Sequence, residues 1–133
     1  MRQLMSSVVI AVLVITVPAA ADELDTCYNY KDSRNAIEAC TRLIKAGTYS
    51  AMANVYSARG VAHRWSGNPR MAIPDFDEAI RLNPKHSIAY GQRGIAHRDL
   101  GNRAQALADL QTAVALDDSN QTAVTELRLL KGQ

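Results

Sequence analysis

The chain has 133 residues, of which 47% are hydrophobic, 5% aromatic and 21% charged, with a formal net charge of +2. That length suits one small domain, and the apolar share is too high for a disordered chain. Charges of both signs are interspersed, which leaves no basic stripe for nucleic acid and no acidic tail.

At the N-terminus, Arg2 precedes an uncharged stretch from Leu4 to Ala21 whose apolar centre runs from Val8 to Val17. Pro18 and the run Ala19-Ala20-Ala21 follow, ahead of Asp22. A basic start, an apolar segment of about ten residues and a small-residue site predict a secretory signal peptide over 1–21. The alternative is an uncleaved membrane anchor, although the apolar part falls short of the roughly 20 residues that span a bilayer. Cleavage after Ala21 would leave 112 residues with a side-chain charge of +1.

Next come Cys27 and Cys40, which enclose a 14-residue loop. In an exported chain they point to a disulfide, and closing a loop of that size contributes about 3 kcal/mol. Two reduced, buried thiols are the alternative. There is no CxxC pair for thiol–disulfide catalysis.

From Ala53 the chain repeats itself. Ala53 to His86 and Ser87 to Asn120 align without a gap, and 12 of the 34 positions are identical. Among them are Tyr56/Tyr90, Gly60/Gly94, Gly67/Gly101 and Ala72/Ala106. Each unit holds two stretches with apolar residues at three- and four-residue spacing, split by Gly-Asn, as two amphipathic helices require. Asn68 and Asn102 sit where an N-cap is needed, and Pro69 at the first helical position, where its missing N–H costs nothing. Pro74 forfeits a backbone bond to Arg70 and predicts a distorted first turn rather than a broken helix. Asn83-Pro84 ends one unit, and Asp117-Asp118-Ser119-Asn120 ends the next with turn chemistry. The scarcity of aromatics (one Trp, one Phe and five Tyr) fits such closely packed helices.

With a period of 34, an aromatic then a glycine in the first helix and alanines at fixed places in the second, the chain resembles the tetratricopeptide repeat (TPR) family. The likeness covers 53–120 and extends to the segment from Asp32 to Ile44. It implies an all-α solenoid of about three antiparallel hairpins. These are a truncated first repeat over 22–50, a second over 53–86 and a third over 87–120, within a domain over 22–133. Residues 121–131, with Val124, Leu127, Leu129 and Leu130, form a capping helix over the open end. In this register Cys27 faces Cys40 where the family packs two large side chains, which adds to the disulfide reading. Arg59 and Arg93 depart from the family's leucine, and His63, His97 and Leu110 from its aromatics.

Arg59 with Asp75, and Arg93 with Asp109, recur 16 residues apart. Their repetition with the fold reads as structural ion pairs that fix helix register, the alternative being a charged ligand site. His63 and His97 invite a metal reading. Equivalent residues on successive helices lie about 8–10 Å apart, so the two imidazoles could share an ion that needs ligand atoms about 2 Å away only by reaching far toward each other, and the expected reading is core histidines. No G-x-S-x-G, H-E-x-x-H or glycine-rich phosphate loop is present, so no catalytic residue, metal or cofactor is expected. Asn120-Gln-Thr122 fits the N-glycosylation pattern.

The resemblance places the binding stripe on the first helices, along a concave face. It carries over to Asn54, Ser57, Val61, Arg64 and Trp65, then to Ile88, Gly91, Ile95, Arg98 and Asp99, with Thr122, Thr125 and Leu129 from the end helix. Ser57, Gly91 and Thr125 would admit a ligand backbone, Val61 and Ile95 would form an apolar floor, and Arg64 and Arg98 would add positive charge. TPR domains that clamp acidic chaperone C-termini use Lys and Asn here. Ser57, Val61, Gly91 and Ile95 stand in those places, which disfavours that ligand class. The expected function is non-catalytic binding of a protein or peptide partner, as an adaptor or assembly factor in a bacterial periplasm. Secretion or an inner-membrane anchor is the alternative location. The competing functions are a self-associating structural protein, that is, a homo-oligomer, and an unrecognised enzyme or metal protein.

Overall fold

A computed structural model describes residues 20–47 and 50–132. Residues 1–19, most of the predicted signal peptide, lie outside them. Among the described residues the structure is all-helical. Helix α1 (Ala20–Cys27) leads through a 3-10 turn (Tyr30–Asp32) to α2 (Ser33–Ala46). Two full hairpins follow, α3 (Met52–Trp65) with α4 (Pro69–Leu82) and α5 (Ser87–Asp99) with α6 (Arg103–Leu116), and α7 (Gln121–Lys131) closes the chain. No described helix is long and apolar enough to cross a membrane.

The repeated Gly-Asn turns explain how each hairpin reverses. Gly67 and Gly101 have φ of +84° and +80°, a left-handed conformation that side chains with a Cβ rarely adopt. That conformation lets the next N–H turn back: Asn68 and Asn102 donate to the His63 and His97 carbonyls at 2.9 and 2.8 Å, closing the preceding helix. Asn68 and Asn102 do occupy the N-cap positions of α4 and α6, but neither side chain caps. The Asn68 amide instead donates to Ser66 Oγ at 3.3 Å, and the Asn102 amide lies 3.5 Å from His97 Nδ1. Each side chain is thus spent on the turn behind it. Helix α4 runs unbroken through Pro74.

Three apolar clusters fill the stack in series. Cys27, Ala39, Cys40, Leu43, Val55 and Ala58 form the first, between α1, α2 and α3. Val61, Ala72, Phe76 and Ala96 form the second, and Ile95, Ala106, Leu110, Ala113, Ala123 and Leu130 the third. Each cluster joins one hairpin to the next helix, as expected of a stack whose units touch only their neighbours. Within the hairpins the helices approach until no Cβ would fit. A Cβ on Gly60 would lie 2.7 Å from the Phe76 ring, and one on Gly94 would lie 2.9 Å from Leu110 Cγ. At the same level of the first unit, Cys27 and Cys40 are joined in a disulfide.

Candidate functional site: the groove along the first helices

Helix α3 touches α5, and α5 touches α7, so the first helices of successive units make one continuous layer. Side chains at the helix starts hold it together. His86 Nδ1 accepts the Ala89 N–H at 3.2 Å and so caps α5. The accepting nitrogen must be unprotonated, so the proton sits on Nε2, which donates to Asn54 Oδ1 at 2.9 Å. Burial pushes the His86 pKa below the ordinary imidazole value, against the opposing effect of its own backbone hydrogen bond. One unit on, Asn120 Oδ1 accepts the Ala123 N–H at 3.2 Å, while its amide donates to Ser87 Oγ at 2.9 Å. The Asn120 amide of the glycosylation pattern is therefore engaged within the fold.

Beside His86 lies a pocket of about 270 Å³, lined by Tyr28, Tyr30, Asn54, Ser57, Ala58, Val61, His86 and Ile88. Among the described residues, no carboxylate, lysine or arginine lines it, and its polar groups are a histidine, an amide and hydroxyls. Burial raises the Tyr30 pKa, with help from Tyr28. Ile88 is 56% exposed at its rim. Four of the residues read from the sequence, Asn54, Ser57, Val61 and Ile88, thus meet in one cavity. Tyr28, Tyr30 and His86 were not read as site residues. The two tyrosines belong to the turn after α1, and His86 shares the register position of Asn120, the one signal that could have marked it.

Further along, the stripe departs from expectation. Ile95 is only 3% exposed and Val61 6%, because each is covered by the packing of its own apolar cluster. Ile95 therefore belongs to the core rather than to an open floor, and Val61 shows only an edge to the pocket. The space over Gly91 is taken by α7 and the end of α6: a Cβ there would lie 3.5 Å from Ala123 Cβ and 3.7 Å from Ala113 Cβ. Those are ordinary contact distances, so Gly91 faces its neighbouring helices rather than an open space for a ligand backbone. Thr125 and Thr122 are exposed on α7, apart from the pocket.

Arg64 and Arg98 are paired within the chain. Arg64 Nη1 lies 3.7 Å from Asp99 Oδ2, and Arg98 Nη2 lies 2.9 Å from Asp99 Oδ1. Arg98 Nη1 also contacts Glu126 on α7. Burial works against the charged Arg98, but its bonds to Asp99 and Glu126 outweigh this and raise its pKa. Two arginines and two carboxylates balance, so this edge is not the free positive charge that the sequence suggested. Trp65, 62% exposed, stands at the end of α3.

The recurring ion pairs lie elsewhere. Arg59 grips Asp75 with two bonds, Nε to Oδ2 at 2.9 Å and Nη2 to Oδ1 at 2.7 Å. Arg93 grips Asp109 in the same way, both bonds 2.8 Å. The Asp75 bond is the main cause of a raised Arg59 pKa, and the Asp109 bond does the same for Arg93. Each guanidinium also lies over a tyrosine of its own helix, Tyr56 or Tyr90, at 5.6 and 5.4 Å. His63 sits 3.9 Å from Asp75, and burial lowers its pKa.

The tetratricopeptide repeat family matches residues 53–86 and again 88–120. No curated protein matches the chain. Among solved structures, the second TPR domain of human RPAP3, in complex with the HSP70 peptide SGPTIEEVD, is 32% identical with a TM-score of 0.74. That alignment covers 86% of this chain and 96% of the RPAP3 domain. The Arabidopsis OM64 TPR domain is 26% identical, with a TM-score of 0.76 and coverage of 86% and 96%. The TPR2B domain of yeast Sti1, in a complex with pHsp70, is 27% identical, with a TM-score of 0.71 and coverage of 84% and 91%. With the repeat's period, its two hairpins and these likenesses in agreement, the chain belongs to the tetratricopeptide repeat family.

Proposed function

We propose that this protein is a non-catalytic interaction module of the cell envelope, an adaptor or assembly factor that takes a short segment of a partner protein against its first helices. The observation that carries this reading is the pocket beside His86, uncharged and rimmed by the exposed Ile88. Its size and lining suit one apolar side chain, with the exposed Asn54 positioned to meet the backbone beside it, while Ser57 is buried at the pocket wall. Peptide binding by the RPAP3 domain, in its complex with an HSP70 peptide, supports the class of function. The ligand type differs, because this chain carries Ser57, Val61, Gly91 and Ile95 where acid-clamping relatives carry Lys and Asn. The pairing of Arg64 and Arg98 with Asp99 and Glu126 further favours a neutral segment over an acidic one. Location in the envelope rests on the signal-peptide pattern of residues 1–21.

The test is affinity capture of envelope proteins by the mature protein, with Ile88→Glu as the control. Ile88 is exposed, so the variant should keep its far-UV helicity while losing the captured partner. Equal capture by both would sink the pocket assignment. One observation favours self-association instead: Leu129, 57% exposed, holds the register position at which Val61 and Ile95 are covered. A dimer in light scattering that Leu129→Glu dissolves would establish that reading in place of the first.

A further inference from the structure

A second cleft lies on the other side of α3. Arg59 and His63 are each two residues from groove-facing Ser57 and Val61, about 200° around the helix, and they point the opposite way. The cleft, about 530 Å³, runs between α2 and α4, with Ile37, Met71 and Pro74 as apolar walls and Thr41, Arg59, Arg70 and Asp75 as polar groups.

The next pair of units provides an internal comparison. Arg93 Nη1 donates to Asp77 Oδ1 at 2.8 Å, reaching back to the second helix of the unit before. Arg59 Nη1 reaches back in the same way but meets only the Thr41 hydroxyl, at 3.2 Å. The upper joint therefore sets one arginine against two carboxylates, Asp77 and Asp109. The lower joint sets two arginines, Arg59 and Arg70, against Asp75 alone. Arg70 has no carboxylate partner among the described residues, and the position equivalent to it in the upper joint is Ala104. The nearby acid on α2, Glu38, faces Arg42 at 3.9 Å. With Arg59 part-buried and Arg70 exposed at the mouth of the cleft, the unbalanced charge favours an incoming anion more than a lone cation in open water would.

We propose that this outer cleft is a binding site for an acidic peptide segment. A glutamate or aspartate carboxylate bonds Arg59 Nη1 and Arg70, where Asp77 bonds Arg93 one unit on, and a neighbouring apolar side chain rests on Met71 and Pro74. The site is independent of the groove, and the two bind partners of different chemistry on opposite sides of α3.

The experiment follows the Arg59 and Arg70 side-chain Nε–H signals by NMR in the mature protein during titration with acetyl-Gly-Leu-Glu-Leu-Gly-amide. The same peptide with Gln for Glu, and sodium acetate, serve as separate arms. The Glu peptide should shift both signals and bind at least about tenfold tighter than the Gln peptide, the usual margin of a charge-assisted bond. Thr41→Asp, which supplies the missing carboxylate from within, should abolish the Glu peptide's effect while the protein stays folded and the groove signals of Ile88 are unmoved. Equal affinity for the Gln peptide, undiminished binding by Thr41→Asp, or no shift at millimolar peptide would overturn the proposal. Acetate binding as tightly as the peptide would replace it with a small-anion site.

Discussion

Asp75 and Asp109 hold equivalent arginines with the same two bonds, but the arginines differ in what remains when the carboxylate is removed. Of its hydrogen bonds, Arg59 would keep only the one to the Thr41 hydroxyl, whereas Arg93 would keep the one to the Asp77 carboxylate. Asp75→Ala should therefore cost about 2–4 kcal/mol and Asp109→Ala about 1–2 kcal/mol, both below the full cost of breaking a buried pair because water reaches the guanidinium groups. Urea midpoints at constant slope would measure the difference, and equal losses would show that the third contact plays no part. The pairs themselves were legible in the sequence, because the same residue types recur at one fixed spacing. The third partners were not, since Thr41 and Asp77 differ in chemistry and lie 18 and 16 residues from their arginines.

At the scale of a helix, the start of α5 depends on a neutral imidazole. A protonated His86 cannot accept the Ala89 N–H, and burial holds its pKa down in the folded protein. The unfolded chain, with a histidine pKa of about 6.5, then binds the proton more readily than the fold does. Stability is therefore full above about pH 6.5 and declines as the pH falls from there towards the folded value. His63, lowered by burial as well, adds to the same decline. His86→Asn should flatten the acid side of a plot of Tm against pH while leaving the share of His63, since asparagine caps α7 in the same way. A variant curve parallel to that of the parent would refute the role. The Gly-Asn turns and Pro69 could be read from residue types alone, because each follows from a local backbone requirement. Which cap side chains reach their own helix could not. Asn68, Asn102 and Asn120 hold similar positions, and only the packing around Asn120 turns its oxygen to the helix it precedes. The same limit applies to the groove: Val61 and Ile95 lie on the expected helix face, but burial within that face depends on the neighbouring unit.

Over the whole molecule, the three clusters stand in series, and nothing in the described structure packs before α1. The Cys27–Cys40 bond ties that helix to α2. Reduction should lower stability by about 2–4 kcal/mol. Hydrogen exchange should show protection lost first in α1 and α2 and kept in α5, α6 and α7; uniform loss would mean that the stack melts as one body. The joints between the later units suggest why they resist. His86 and Asn120 each bond the first turn of their own helix and the first turn of the helix one unit back. Capping and stacking thus share the same side chains, through different atoms of each. A helix of this kind cannot fray at its start without loosening the seam beneath it, and the seam cannot part without uncapping the helix. Two failures that would otherwise be separate small fluctuations become one larger and rarer event, so the later units gain cooperativity from two side chains rather than from a larger core.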